Sequence, residues 1–399
     1  MSLGLVLRVL QAVLDNRMGG IQSRILSLGP RLNREGFEIH VSAPSGGGNF
    51  LKLAEESGLI AHALGERTPP SGARAACLFA ADVPRTAIAM RELVTEESVD
   101  VVHVNGLLAF GPALGARLAN LPLLWHLIGT HYPRPLIRLF MPAVKTIATE
   151  VAFVSKEIRD YYFAKKERCF IIPECVDTEK FRPSGRSAKD LARSFDYEEV
   201  RIGFLGNVTR AKGLEYLLQA IPLVVSRNPS CRFLIGGAWP ASQEGYHERL
   251  RRLISALRLD DHIRILGPVH DSPKFYSELD VFCLPSIFEG MPIVILEAMA
   301  SGLPVVASAV GGVPSLVTHG VEGYLVAARD SRSLARAVTH VAASRTSRAN
   351  MGLRGRLRAE SEFSIETTRE RYGMLYRGLA KSRNHASSGA YRLNETLGR

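Results

Sequence analysis

Residues 288–308 read FEGMPIVILEAMASGLPVVAS, and this stretch sets the architecture. An apolar run, Ile293–Leu296, follows Pro292 and is closed by Gly302; a second apolar run starts directly after it. Proline suits the first turn of a helix, where its missing N–H costs nothing, and glycine suits the stop. The expected helix is 292–301. With DVFCLPS before it and LPVVASA after it, the order is strand, loop, helix, strand, the repeating unit of a parallel sheet. The stretch also carries two acids, Glu289 and Glu297. A helix this apolar is buried, and buried carboxylates need partners. Glu289 falls at a strand's carboxyl end and Glu297 about one and a half turns into the helix, so both can face one crevice. Between them, the helix N-terminus offers free N–H groups and a positive dipole end suited to a phosphate or an oxygen-rich sugar. A capping carboxylate and a salt-bridged core acid would account for the same spacing.

Working outward, the same alternation fills the chain. LVLRVLQAV, FEIHVSAP, VDVVHVNG, LPLLWHLIG and VAFVSK read as strands of the first half; RIGFLGNV, CRFLIGGA, IRILGPV, VFCLPS, LPVVASA and EGYLVA read as strands of the second. Periodic helical stretches lie between them, as at 21–35, 213–227 and 244–258. The pattern breaks at the polar segment RPSGRSAKDLARSFDYEE, read as a linker over 183–199. The expected fold is therefore α/β: two doubly wound, Rossmann-like domains, 1–182 and 200–362, facing each other across a cleft, with ligands at the carboxyl ends of the strands. Residues 382–399 have little apolar content and are expected to form a flexible tail.

A chain of 399 residues is too long for one ordinary core. No run reaches the roughly 18 uncharged apolar residues of a membrane helix. The N-terminal LGLVLRVLQAV is interrupted by Arg8 and reads as a buried strand rather than a signal peptide. The five cysteines are scattered and never in a Cys-x-x-Cys pair, which argues for a reducing compartment, no disulfide framework and no zinc site. The net charge of +11 is spread along the chain and densest in the tail. No basic run is interleaved with aromatics, so no nucleic acid is expected; anionic small ligands or an anionic membrane surface fit the charge.

Three further stretches carry chemistry. In GFLGNVTRAKGLEYLLQAI, 203–221, a buried strand runs into a loop with Arg210 and Lys212 before a helix. Two cations at such a junction make an anion site, although a solvated charged turn would look the same. In LDNRMGGIQSRI, 14–25, Gly19 and Gly20 follow the first strand and let backbone approach a ligand. This is not a dinucleotide fingerprint, and a plain glycine turn is the competing account. In LLWHLIGTHY, His126 ends a strand with His131 close behind, at a spacing that suits no metal site; a satisfied core histidine is the alternative, and His103 reads as structural.

Taken together with VAFVSKEIRDYY, IIPECVDTEKFRP and YSELDVFCLPSIFEGMPIVILEAMASGLPVVASAVGGVPSLVTHGVEGYLV, these blocks resemble the family-4 retaining glycosyltransferases of the GT-B fold (glycosyl transferases group 1) over about residues 3–380. The Glu-x7-Glu block is the most specific part. The resemblance implies that Glu289 lies against the donor sugar and that Glu297 holds the ribose hydroxyls. Arg210 and Lys212 would neutralise the diphosphate, and Gly19 and Gly20 would close over it from the other domain. His126 would stand on the sugar side, and the backbone at Gly290, Met291 and Ile293 would contact sugar hydroxyls. It also implies that a final helix, 363–381, packs back on the first domain. Three positions depart from the family pattern: Asn207 replaces an arginine, Glu174–Cys175 an Asn-Gly, and Ser315 a glutamate.

The expectation is a retaining enzyme that uses a nucleotide sugar, needs no metal, and acts on a glycan or lipid-linked acceptor in cell-surface polysaccharide or glycolipid biosynthesis. Its expected place is the cytoplasm, peripheral on the inner face of the plasma membrane. HYPRPLIRLFMPAVK combines Arg134, Arg138 and Lys145 with apolar residues as an interfacial helix does, or as an ordinary surface helix does. The alternatives are a catalytically inert nucleotide-sugar-binding module and a GT-B sugar-nucleotide epimerase.

Overall fold

The structure, a computed structural model, describes residues 6–65, 73–130, 132–163, 169–183 and 199–385. The chain divides into two compact units, 1–174 with 365–399, and 175–364.

The first unit holds seven parallel strands: β1 (Leu7–Ala12), β2 (Phe37–Ala43), β3 (Ile60–Ala63), β4 (Val101–Asn105), β5 (Leu123–Leu127), β6 (Glu150–Phe153) and β7 (Phe170–Ile171). Their order is β3-β2-β1-β4-β5-β6-β7. VVHVN and LLWHL are buried along their whole length, as strands covered on both faces must be. The two strands that sequence pattern does not reveal, β3 and β7, are the sheet's edges. Both are short and half-exposed, so neither carries a clear period. The helix Ile365–His385 belongs to this unit, where Tyr376 packs edge-on against Phe37 with ring centroids 6.1 Å apart.

The second unit holds six parallel strands: β8 (Val200–Leu205), β9 (Cys231–Gly236), β10 (Ile263–Gly267), β11 (Val281–Leu284), β12 (Val305–Ser308) and β13 (Gly323–Val326). Their order, β10-β9-β8-β11-β12-β13, reverses direction between β8 and β11. This is the topological switch point at which such sheets bind ligands, and β1 and β4 form the equivalent point in the first unit. The helices expected at 21–35, 213–227 and 244–258 are Gly20–Asn33, Leu214–Val225 and Glu244–Ala256. The helix expected over 292–301 is Ile293–Ala300; Pro292 is extended and precedes it, and Gly302 beyond it has φ +74°.

One boundary moves. The first domain was expected to end at 182, but Cys175–Pro183 belongs to the second unit. The Arg356 guanidinium Nη1 donates to the carbonyls of Thr178, Phe181 and Ala300 at 2.9, 2.6 and 2.7 Å, and Phe181 packs edge-on against Tyr276. These contacts tie the segment down before any linker begins. Most of the expected linker, residues 184–198, lies outside the described residues, as do residues 66–72, His131 and the tail beyond 385.

Candidate functional site

At the switch point, the chain leaves β8 through a single turn, Arg210–Lys212, and Gly213 into the helix Leu214–Val225. Neighbouring β11 ends at Leu284 and leads to the loop that carries Glu289. Gly213 sits at φ +61°, and a Cβ there would lie 2.3 Å from the Pro285 carbonyl oxygen, so only glycine lets the two loops meet. The Ile287 N–H donates to the Ala211 carbonyl at 2.7 Å across the same junction.

The loops converge on one carboxylate. Lys212 Nζ lies 2.6 Å from Glu289 Oε1, and Ser286 Oγ donates to the same oxygen at 2.6 Å. The Glu289 side chain is 8% exposed and that of Lys212 25%, which strengthens the charge-assisted bond relative to one in open water. From the far side, Gly311 at φ +53° would bring a Cβ within 1.9 Å of the Glu289 carbonyl oxygen, and the Gly312 N–H donates to Gly290 O at 2.6 Å. The backbone of Glu289–Gly290 is thus clamped. Met291 is buried behind it, and Ile293 is half-buried at the start of its helix. Arg210, in the same turn as Lys212, is exposed and has no ion pair among the described residues. Glu297 accepts a hydrogen bond from the Tyr276 hydroxyl on Oε2 at 2.8 Å. Burial pushes its carboxyl up to about 7, against the opposing pull of Tyr276 and of the Lys180 charge.

In the first unit, Gly19 and Gly20 stand exposed where the helix Gly20–Asn33 begins. Gly19 is extended, a conformation any residue adopts, so its backbone does not demand glycine. His126 is not at a surface. It is fully buried in the middle of the sheet, with Nδ1 3.2 Å from the Tyr372 hydroxyl and its ring 5.5 Å from that of His103. His103 Nδ1 in turn lies 2.8 Å from the Tyr376 hydroxyl. Burial first, and the Arg24 charge second, hold both imidazoles well below their ordinary value and therefore neutral. Tyr372 of the final helix covers β5 at this position, which the strand pattern cannot show.

Glu174 explains one departure from the family pattern. Its Oε1 pairs with Arg24 Nη1 at 2.9 Å in the core, while Arg24 Nη2 donates to Asn105 Oδ1 at 2.6 Å. Sequence reasoning missed Tyr276, Ser286, Gly311 and Gly312. Ser286 and the glycine pair stand in loops next to the expected strands and could have been found there; Tyr276 sits in a short helix with no periodic signal.

Residues 18–180 match the family described as Glycosyltransferase Family 4, and residues 199–344 match Glycosyl transferases group 1. This chain is a family-4 glycosyltransferase. The GDP-mannose-dependent alpha-(1-6)-phosphatidylinositol monomannoside mannosyltransferase of Mycolicibacterium smegmatis is 28% identical to it over 386 residues, covering 92% of this chain and 97% of the relative. The D-inositol 3-phosphate glycosyltransferase of Geodermatophilus obscurus is 30% identical over 251 residues, 61% of this chain; the match spans about half of that relative, 55%. The Anabaena Alr3699/HepE protein, solved with UDP and glucose, superposes with a TM-score of 0.75 at 20% identity, covering 92% of this chain and 99% of that one. Sucrose-phosphate synthase from Thermosynechococcus elongatus gives 0.75 at 21% identity, covering 94% and 100%. These likenesses place the glycosyltransferase in the GT-B fold.

Proposed function

We propose that this glycosyltransferase moves a sugar from a nucleotide-sugar donor to a lipid-linked acceptor, with retention of anomeric configuration. The observation that carries the reading is the Lys212–Glu289 pair at the β8–β11 switch point. An arriving diphosphate competes for the Lys212 ammonium and finds the exposed Arg210 beside it. Glu289, released from Lys212, can accept from sugar hydroxyls, and Glu297 from ribose hydroxyls. As the bond from the anomeric carbon to the diphosphate oxygen breaks, charge builds on the leaving group. Lys212, Arg210 and the N-terminus of the helix Ile293–Ala300 stabilise it without reorganising. The acceptor oxygen bonds the anomeric carbon on the same face, and its proton passes to the leaving phosphate. No side chain here is assigned as a nucleophile, and no metal is assigned to this site.

A lipid-linked acceptor is supported by the relative named for phosphatidylinositol monomannoside. It is also supported by the helix Arg134–Ile147, which buries Ile137, Met141 and Val144 in its own unit and exposes Arg138, Leu139 and Lys145. No helix among the described residues is long and apolar enough to cross a membrane. The test is a thermal-shift screen of UDP-, GDP- and ADP-sugars, followed by NMR of the product. One sugar nucleotide should raise the melting temperature by mass action, and an α-linked donor should give an α-linked product. A β-linked product, or no stabilisation by any sugar nucleotide, would overturn the reading.

A further inference from the structure

Away from the donor site, histidine and acid side chains converge once more among the described residues: His40 on β2, His62 on β3, and Glu97, directly after the helix Ala73–Glu96. In the parallel register His40 lies opposite Ile60 and Ser42 opposite His62, so the two histidines share a face of adjacent strands. His40 Nδ1 lies 3.0 Å from His62 Nε2 and 3.9 Å from Glu97 Oε2, and the three atoms all fall within 4.8 Å of one another. Ligand atoms about 2.0–2.2 Å from a tetrahedral ion stand roughly 3.3–3.5 Å apart. The two shorter separations bracket that value, and Glu97, 38% exposed, has room to swing inward.

The surroundings of His40 point the same way. Its ring is fully buried, and its other nitrogen, Nε2, lies 3.1 Å from Glu38 Oε1, which Arg8 Nε holds at 2.8 Å. A carboxylate behind a histidine places the proton on the far nitrogen and leaves the near lone pair for a metal. Nδ1 of His40 therefore aims its lone pair at the centre of the trio. In the metal-free protein, His62 Nε2–H fills that place by donating to Nδ1; on metal binding, the His62 proton resides on Nδ1 instead. The Arg8 guanidinium is paired with the Glu38 carboxylate; its Nη1 also donates to the backbone carbonyl of Glu97 at 3.2 Å, and the Arg8 backbone N–H donates to Asp100 Oδ2 at 2.9 Å.

We propose that His40, His62 and Glu97 form a three-ligand site for a divalent transition metal of the zinc class, with water in the fourth position. Two imidazoles and one carboxylate favour such an ion over magnesium or calcium. Bound there, the ion ties the edge strand β3 to β2 and to the end of the helix Ala73–Glu96, which makes it a structural clip independent of donor chemistry.

The test uses the full chain without an affinity tag, stripped with chelator and dialysed. Titration with Co2+ should load one ion per chain, with the intense visible absorption of tetrahedral cobalt, and Zn2+ should displace it. Zn2+ should raise the melting temperature and Mg2+ should not. His62→Ala and Glu97→Gln should each weaken binding by at least about tenfold, and Glu38→Gln by about 10–100-fold, as for residues that orient a ligand. Donor turnover of His62→Ala at low temperature should match wild type, so this result is separable from the donor-site reading. Equal cobalt uptake by wild type and both ligand variants would overturn the proposal, as would a melting temperature that Zn2+ leaves unmoved. Should His62→Ala not fold, the half-exposed Glu97→Gln carries the same comparison.

Discussion

Lys212 and Arg210 share one turn but not one environment, and their substitutions should separate. Arg210→Ala removes an exposed cation and should leave stability within about 0.5 kcal/mol. Lys212→Ala strands the sheltered Glu289 carboxylate and should cost about 1–3 kcal/mol in urea unfolding. Both should lower donor turnover by about 10–100-fold, the worth of one charge-assisted phosphate contact; wild-type turnover in both variants would remove the diphosphate assignment. Glu297 adds a pH dependence. Its folded-state carboxyl is raised from 4.5 to about 7, so between these values the unfolded chain has lost a proton that the folded one keeps. Stability therefore falls as pH rises through this window and is level above it. Glu297→Gln should exceed wild type above pH 7 by on the order of 2–3 kcal/mol, and the gap should close as pH falls towards 4.5. Affinity for a sugar nucleotide, whose phosphates do not titrate here, should rise with pH through about 7 in wild type and stay flat in the variant. Denaturant melts and calorimetry at pH 5 and 8 would decide both.

At the scale of elements, the site is two loops held at contact distance by glycine. Gly213→Ala would place a Cβ against the Pro285 carbonyl in a left-handed conformation, and Gly311→Ala would do the same against the Glu289 carbonyl. Each should cost about 1–3 kcal/mol and weaken donor binding, although neither position touches a charge; unchanged donor affinity in both would show that the loops tolerate separation. The strands that carry these loops were plain in the chain. RIGFLGNV and VFCLPS are apolar runs closed by turn residues, and Glu289, Lys212 and Arg210 follow them at the positions where parallel sheets display chemistry. Strand β3 was not plain, because IAHA at an exposed edge has no apolar face to announce it.

For the whole molecule, the net charge of +11 and the cationic outer face of Arg134–Ile147 make a prediction about surfaces. The protein should sediment with anionic vesicles at low salt and be released as ionic strength rises past the physiological range, where the screening length is about 8 Å. Leu139, 68% exposed between Arg138 and Lys145, should contribute apolar contact, so Leu139→Asp should weaken sedimentation at every salt concentration. A protein that stays in the supernatant at low salt would point to a soluble acceptor.

By itself, the sequence determined two parallel α/β units, the strand-end positions of Arg210, Lys212 and Glu289, and the helix that carries Glu297. These follow from local periodicity and turn chemistry, which the chain carries in short windows. Tertiary structure alone decided who meets whom. Lys212 pairs with Glu289 across 77 residues, Tyr276 with Glu297 across 21, and Arg24 with Glu174 across 150. His126 is removed from solvent by a helix that follows it by 246 residues, and His40 meets His62 only through strand register. Periodicity fixes which face of an element is buried, but the partner waiting on that face is set by sheet order, and sheet order is written in no single segment.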